Sequence, residues 1–166
     1  TNESGLNKLY LMDTATKKYE EIKGLPVGLI NNIEFTKDGK SLFFAQSTYD
    51  SSSDIYRLDL ATNTIERWTD SEKGEMQKED MAQPKLIEWI SFDKMKISGF
   101  YYPSSKKFTG KRPVLINIHG GPEGQSMASS LGSNNYYTNE MGVAIIYPNV
   151  RGSSGFGKSY IASDNG

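Results

Sequence analysis

Two stretches in the second half of the chain limit its fold most strongly. "VLINIHGG" (Val114 to Gly121) and "VAIIYPN" (Val143 to Asn149) are nearly continuous apolar runs, the first ending in two glycines. Such runs suit strands buried on both faces of a sheet flanked by helices, not the alternating strands of a half-solvated sheet. Between them, "SNNYYTNEMG" (Ser133 to Gly142) reads as a short helix. Ser133 is its N-cap and Gly142 stands where a left-handed C-terminal stop belongs. Strand, helix, strand is the opening of an α/β sheet.

The first half has a different grammar. Tyr10, Asp13, Ala15 and Thr16 of "LYLMDTATKKYEEI" recur 46 residues later as Tyr56, Asp59, Ala61 and Thr62 of "IYRLDLATNTIERW". Periods of about 40–50 residues are typical of propeller blades, each a four-stranded antiparallel sheet. A generic antiparallel sheet is the alternative. Each copy alternates apolar and polar residues into an Asp-led turn, where Asp13 and Asp59 are expected to accept backbone hydrogen bonds. Between the copies, "INNIEFTKDGKSLFFAQS" (Ile30 to Ser47) is a hairpin turning at Asp38-Gly39, with Ile33, Phe35, Leu42 and Phe44 as apolar faces. "TDSEKGEMQKED" (Thr69 to Asp80) reads as a solvated linker. "KLIEWISFDKMKISGFYYP" (Lys85 to Pro103) reads as two strands around Asp93-Lys94. The expected fold class is therefore mixed. All-β, partial-propeller structure and linker occupy 1–80, and the first β-α-β part of an α/β domain occupies 81–166.

Composition narrows the function classes. Nineteen basic and twenty acidic side chains give a formal charge of −1. That balance offers no electrostatic argument for a nucleic-acid or anionic-membrane partner. There is no cysteine and a single histidine, so disulfides and thiolate metal sites are excluded and His119 has no companion for a metal site. No apolar run approaches the roughly 20 residues that span a bilayer. The first residues show no signal peptide. The chain lacks a start Met and stops at "SDNG" as a helix begins, so a piece of a longer protein is expected. Cytoplasm and periplasm stay open as compartments, and homo-oligomerisation stays open as well.

"IHGGPEG" (Ile118 to Gly124) carries the most chemistry. Glycines just past a buried strand let a ligand approach the backbone closely, with N–H groups pointing outward. In α/β hydrolases a His-Gly-Gly loop after an early strand gives one N–H to the oxyanion hole. A tight turn needing flexible residues is the plain alternative. His119 fits poorly as the base of a catalytic triad, because in that class the base follows the nucleophile and the acid in chain order. A positioning role through a hydrogen bond to the loop, or a buried and satisfied imidazole, is expected instead.

"PVLINIHGGPEGQ" followed by "MGVAIIYPNVRGSSGFGKSY" resembles the opening of the catalytic domain of the prolyl oligopeptidase family of serine peptidases. The His-Gly-Gly-Pro spelling is similar to the acylaminoacyl-peptidase and dipeptidyl-peptidase-like branch. Prolyl oligopeptidase proper has a Tyr donor at the His119 position, so that donor does not carry over. The resemblance implies a β-propeller before an α/β-hydrolase domain, peptide hydrolysis through an acyl-enzyme, short peptide substrates, and no metal or organic cofactor. Gly121 becomes the first choice as oxyanion donor, with Gly120 as neighbour and His119 as support. The family's Gly-x-Ser-x-Gly elbow, Asp and His are not present. "GSSGFG" fails as the elbow, since Phe156 stands where the last glycine belongs. The chain alone is expected to be inactive and, with open sheet edges, prone to aggregate. Another α/β hydrolase such as an esterase is the alternative.

"GSSGFGKS" (152–159) also spells a phosphate-binding P-loop, Gly-x-x-x-x-Gly-Lys-Ser. Two observations count against it: "YPNVR" separates the apolar run from the glycines, and Pro148 restricts the backbone there. Under the resemblance, the glycines shape a turn, Arg151 is held by an ion pair or carbonyls, and Lys158 and Ser159 open the next helix in solvent.

Overall fold

The computed structural model describes residues 1–121 and 123–165; Pro122 of the His-Gly-Gly-Pro stretch lies outside the described residues. The chain opens with two short hairpins, β1 (Asn2–Glu3) with β2 (Leu6–Asn7) and β3 (Tyr10–Met12) with β4 (Tyr19–Glu21). A four-stranded antiparallel meander follows: β5 (Gly28–Phe35), β6 (Ser41–Thr48), β7 (Ser51–Asp59) and β8 (Ile65–Arg67). The 46-residue recurrence is a recurrence of hairpins. Asp13 Oδ1 accepts the N–H groups of Ala15 (2.9 Å) and Thr16 (2.7 Å), and Asp59 Oδ1 accepts those of Ala61 and Thr62 (both 3.0 Å). Lys17 (φ 61°) and Asn63 (φ 55°), at matching places in the two turns, both enter the left-handed region. Among the described residues these strands form no closed propeller.

Alternation puts Leu42 and Phe44 of β6 and Tyr56 and Leu58 of β7 on one buried face, where Leu9 and Ile22 from the β3–β4 segment cover them. Phe44 and Tyr56, directly opposite each other, stack at 5.7 Å. Ile33 and Phe35, expected beside them, stay exposed. They lie on β5, the outer strand, where a bulge between Asn31 and Glu34 interrupts the alternation.

The 69–80 segment is largely solvated, yet it is pinned at both ends. Asp54, only 1% exposed on β7, accepts Thr69 Oγ1 (2.8 Å) and Ser71 Oγ (3.0 Å), and also binds Ser51 and the Arg67 guanidinium. Lys78 reaches Asp50 at 3.0 Å.

The second sheet contains β9 (Lys85–Ile90), β10 (Lys96–Tyr102), β11 (Val114–Ile116) and β12 (Ala144–Asn149) in the order β11-β12-β10-β9. β9, β10 and β12 pair antiparallel, while β11 runs parallel to β12. Phe100, Tyr102 and Ile145 form its core with Ala128 and Leu131. The crossover from β11 to β12 contains a 3₁₀ turn (Gly132–Asn134) and helix α1 (Asn135–Asn139). Ser133 lies within the 3₁₀ turn and caps nothing; the helix is held from inside, by Thr138 Oγ1 donating to the Asn135 carbonyl. Gly142 does adopt left-handed geometry (φ 64°).

The two apolar runs were expected to be buried alike, and they are not. Ile145 of β12 is 0% exposed, whereas Ile116 of β11 is 60% exposed. Among the described residues β12 has a neighbour on both sides and β11 on one.

Asp54 supplies the test of the first sheet. Burial opposes its charge, but hydrogen bonds from Ser51, Thr69, Arg67 and Ser71 outweigh that and lower its carboxyl pKa from 3.8 to about 2. A lowered folded-state value stabilises fully above 3.8 and is lost as the pH falls toward about 2. Urea melts across that window should show the loss in the native chain and a smaller one in Asp54→Asn. Asp54→Ala, which strands Arg67, should cost roughly 3 kcal/mol at neutral pH.

Candidate active site

The strand ladder continues one residue past β11, with Asn117 N–H donating to the Ile146 carbonyl at 2.8 Å. The chain then leaves the sheet through Ile118, His119, Gly120 and Gly121. Gly121 has φ 129°, where a side chain is strained, and a Cβ there would lie 2.9 Å from the Glu123 nitrogen. Gly124 packs so tightly that a Cβ would lie 2.8 Å from the Gly120 oxygen and 3.0 Å from His119 Nδ1. Gly120 instead borders open space.

That packing sets the direction of one peptide group. In a trans peptide the carbonyl and the following N–H point opposite ways. The Gly120 carbonyl faces Gly124 and the imidazole, so the Gly121 N–H faces away from them. Among the described residues neither the Gly120 nor the Gly121 N–H donates within the chain. The loop can therefore offer main-chain donors to a visiting oxygen.

The end of β12 and the loop beyond it hold this segment in place. Asn149, 0% exposed, binds Ser126 as a neighbouring strand would: its Oδ1 accepts the Ser126 N–H (2.7 Å) and its Nδ2 donates to the Ser126 carbonyl (3.1 Å). Ser154 N–H donates to the Gly124 carbonyl at 2.9 Å. His119 Nε2 lies 2.8 Å from the Ser153 hydroxyl. From the other side, Ala128 N–H reaches the Gly5 carbonyl (3.4 Å) and Gln125 meets Asn2. His119, Gly120 and Gly121 thus come together in one loop, and His119 is tied by its ring. Sequence reasoning missed Asn149 and Ser153, because a buried amide and a buried hydroxyl look like ordinary turn residues until their partners are known.

A cleft of about 310 Å³ lies beside the loop, lined by Tyr102, Asn117, His119, Gln125, Ser126 and Tyr147 among others, with no Asp, Glu, Lys or Arg in its wall. Burial pushes the Tyr102 hydroxyl up to about 12, so it stays protonated. It donates to the Ser129 carbonyl (2.9 Å) and accepts the Ser129 N–H (3.1 Å). Among the described residues no three His, Asp or Glu side chains gather as a metal set.

The P-loop spelling has a different use. Three of its amides are taken within the chain: Gly152 donates to Tyr160 (3.1 Å), Ser153 to Val150 (3.1 Å) and Ser154 to Gly124 (2.9 Å). Gly152 packs on the Asp164 carboxylate, which places negative charge where a phosphate would need donors. The helix that follows, α2 (Lys158–Ile161), is one turn long, with Lys158 and Ser159 in solvent. Arg151 pairs with Asp93 in the β9–β10 turn and lies over the Phe92 ring, 4.9 Å from its centre.

No protein-family model matches the chain. A dipeptidyl-peptidase 5 of Porphyromonas endodontalis is 28% identical over 150 residues, covering 87% of this chain and 21% of that protein. A dipeptidyl aminopeptidase BIII of Pseudoxanthomonas mexicana is 26% identical over 154 residues, covering 89% and 22%. Among solved structures, a puromycin hydrolase has TM-score 0.80 at 19% identity, covering 95% of this chain and 24% of its own. An acylaminoacyl peptidase of Pyrococcus horikoshii has TM-score 0.68 at 22% identity, covering 96% and 24%. The chain is homologous, at low identity, to serine peptidases of the prolyl oligopeptidase family. It spans less than a quarter of the length of these relatives.

Two outcomes check the site's anatomy. Asn149→Ala leaves the buried Ser126 N–H and carbonyl unpaired and should cost about 2–3 kcal/mol in a urea melt. Titration calorimetry with magnesium-ATP should give no binding heat, and Lys158→Ala should leave the trace unchanged.

Proposed function

We propose that this chain is the junction of a serine peptidase. Residues 1–80 are late blades and linker of a β-propeller, and residues 81–166 are the start of an α/β-hydrolase domain whose oxyanion donors lie in the 119–121 loop. The observation that carries this assignment is the Gly121 N–H, unbonded among the described residues and turned away from its own loop by the packing of the Gly120 carbonyl. Homology to dipeptidyl peptidases supports short peptides as substrates.

The chemistry follows from that donor. A serine oxygen attacks the peptide carbonyl carbon, and the carbonyl oxygen gains a full negative charge in the tetrahedral intermediate. The Gly121 N–H, with Gly120 beside it, donates to that oxygen as the charge develops. One such preorganised donor is worth about 2.7–4 kcal/mol in the transition state. Collapse expels the amine and leaves an acyl-enzyme, which water then hydrolyses. The attacking serine and its Asp–His partners belong to a part of the polypeptide outside these 166 residues. His119 is not that base, because its Nε2 is engaged with Ser153.

The test is turnover of dipeptidyl and acylaminoacyl p-nitroanilides by the full-length polypeptide that carries this chain. Gly121→Ala forces a side chain into a strained turn and moves the donor, so kcat should fall by about 10²–10³-fold. The 166-residue chain alone should turn over nothing. A full-length polypeptide that hydrolyses none of these substrates, or a Gly121→Ala variant with native kcat, overturns the assignment.

A further inference from the structure

We infer that Ser153 is a positioning residue for the glycine loop: its hydroxyl fixes which nitrogen of His119 carries the proton, and with it the ring against which the Gly120 carbonyl rests. The proton count forces this. Ser153 is fully buried, with its Oγ 2.5 Å from the Val150 carbonyl oxygen and 2.8 Å from His119 Nε2. A hydroxyl has one hydrogen, and a carbonyl can only accept. The hydrogen therefore sits toward Val150, and Nε2 must bring its own proton to the Ser153 oxygen.

A neutral imidazole held this way has a bare Nδ1. Its 3.3 Å approach to the Gly120 oxygen is then a contact between two acceptors, held by packing against Gly124. The ring serves as a wall for the Gly120–Gly121 peptide, not as its hydrogen-bond partner. Among the described residues no group other than the Ser153 hydroxyl lies within hydrogen-bond reach of Nε2 to favour the Nε2–H form. Without that hydroxyl the proton can move to Nδ1, where it bonds the Gly120 carbonyl and turns the peptide that carries the Gly121 N–H. The stretch that spells a P-loop thus spends its serine on the loop across the sheet end. Ser154 adds the second tie, to the Gly124 carbonyl.

The loop geometry stands by itself; only the effect on turnover rests on the peptidase assignment. In the full-length polypeptide, nitrogen-15 labelling of histidine reads the imidazoles, and the His119 signals are those absent from a His119→Gln variant, since His119 is the sole histidine of these 166 residues. The native polypeptide should show His119 as the Nε2–H tautomer with a slowly exchanging Nε2 proton. Ser153→Ala should lose that slow exchange and show mixed tautomers, and Ser153→Thr, which keeps the hydroxyl, should restore both. In the full-length polypeptide Ser153→Ala should lower kcat by up to about 10²-fold with KM little moved, as for a misplaced catalytic donor. Ser153→Thr should recover most of that loss. An Nδ1–H tautomer at His119 in the native polypeptide overturns the inference, as does a Ser153→Ala imidazole spectrum identical to the native one. If the imidazole responds as expected while the full-length polypeptide hydrolyses no peptide, the Ser153 inference stands and the peptidase assignment falls.

Discussion

β11 and β12 run parallel, so the chain leaves both strands at the same end of the sheet. Had they paired antiparallel, the loops beyond them would lie at opposite ends. Every contact that shapes the glycine loop depends on this choice: Asn149 with Ser126, Ser154 with Gly124, Ser153 with His119. Parallel pairing in turn needs a crossover, and the 3₁₀ turn with α1 provides it. Loops at the carboxyl ends of parallel strands are where open α/β sheets bind ligands, because the sheet holds both ends of the gap rigidly.

A loop that presents unbonded N–H groups to solvent gains no stability from them, and something else must hold its shape. Here buried polar side chains do so. The Asn149 amide reproduces one rung of a strand ladder where no strand could follow the glycines. Each such group is costly if left unpaired and specific when paired, so it holds the loop to one arrangement. The Asp54 cluster plays the same part in the first sheet, where hydroxyls and a guanidinium tie the start of the 69–80 segment to β7.

Periodicity made most of the strands legible, because alternation and continuous apolar runs follow from backbone geometry. The β9–β10 hairpin around Asp93-Lys94 and the recurring Asp turns follow local rules and lie where those rules put them. What sequence could not supply was neighbourhood. "VLI" and "AII" look equally buried as strings, yet among the described residues the first has a strand on one side and the second on both. Ile33 and Phe35 fit an apolar face on paper and lie exposed on an outer strand. In the site, the glycines were legible because few residues reach φ 129°; Asn149 and Ser153 were not, because their partners are 23 and 34 residues away.

Gly-x-x-x-x-Gly-Lys-Ser shows how a motif's meaning lies in the destination of its hydrogen bonds. A phosphate cradle needs several amides free and converging, a helix behind them, and no anion nearby. In this chain three of the amides are satisfied internally, and Asp164 stands against the first glycine. Ser153 and Ser154 serve the neighbouring loop, where the Gly120 and Gly121 N–H groups donate to nothing among the described residues. Two glycine-rich segments lie side by side at one sheet end. Ser153 and Ser154 of one hold the other in the shape that leaves its Gly120 and Gly121 N–H groups unbonded among the described residues.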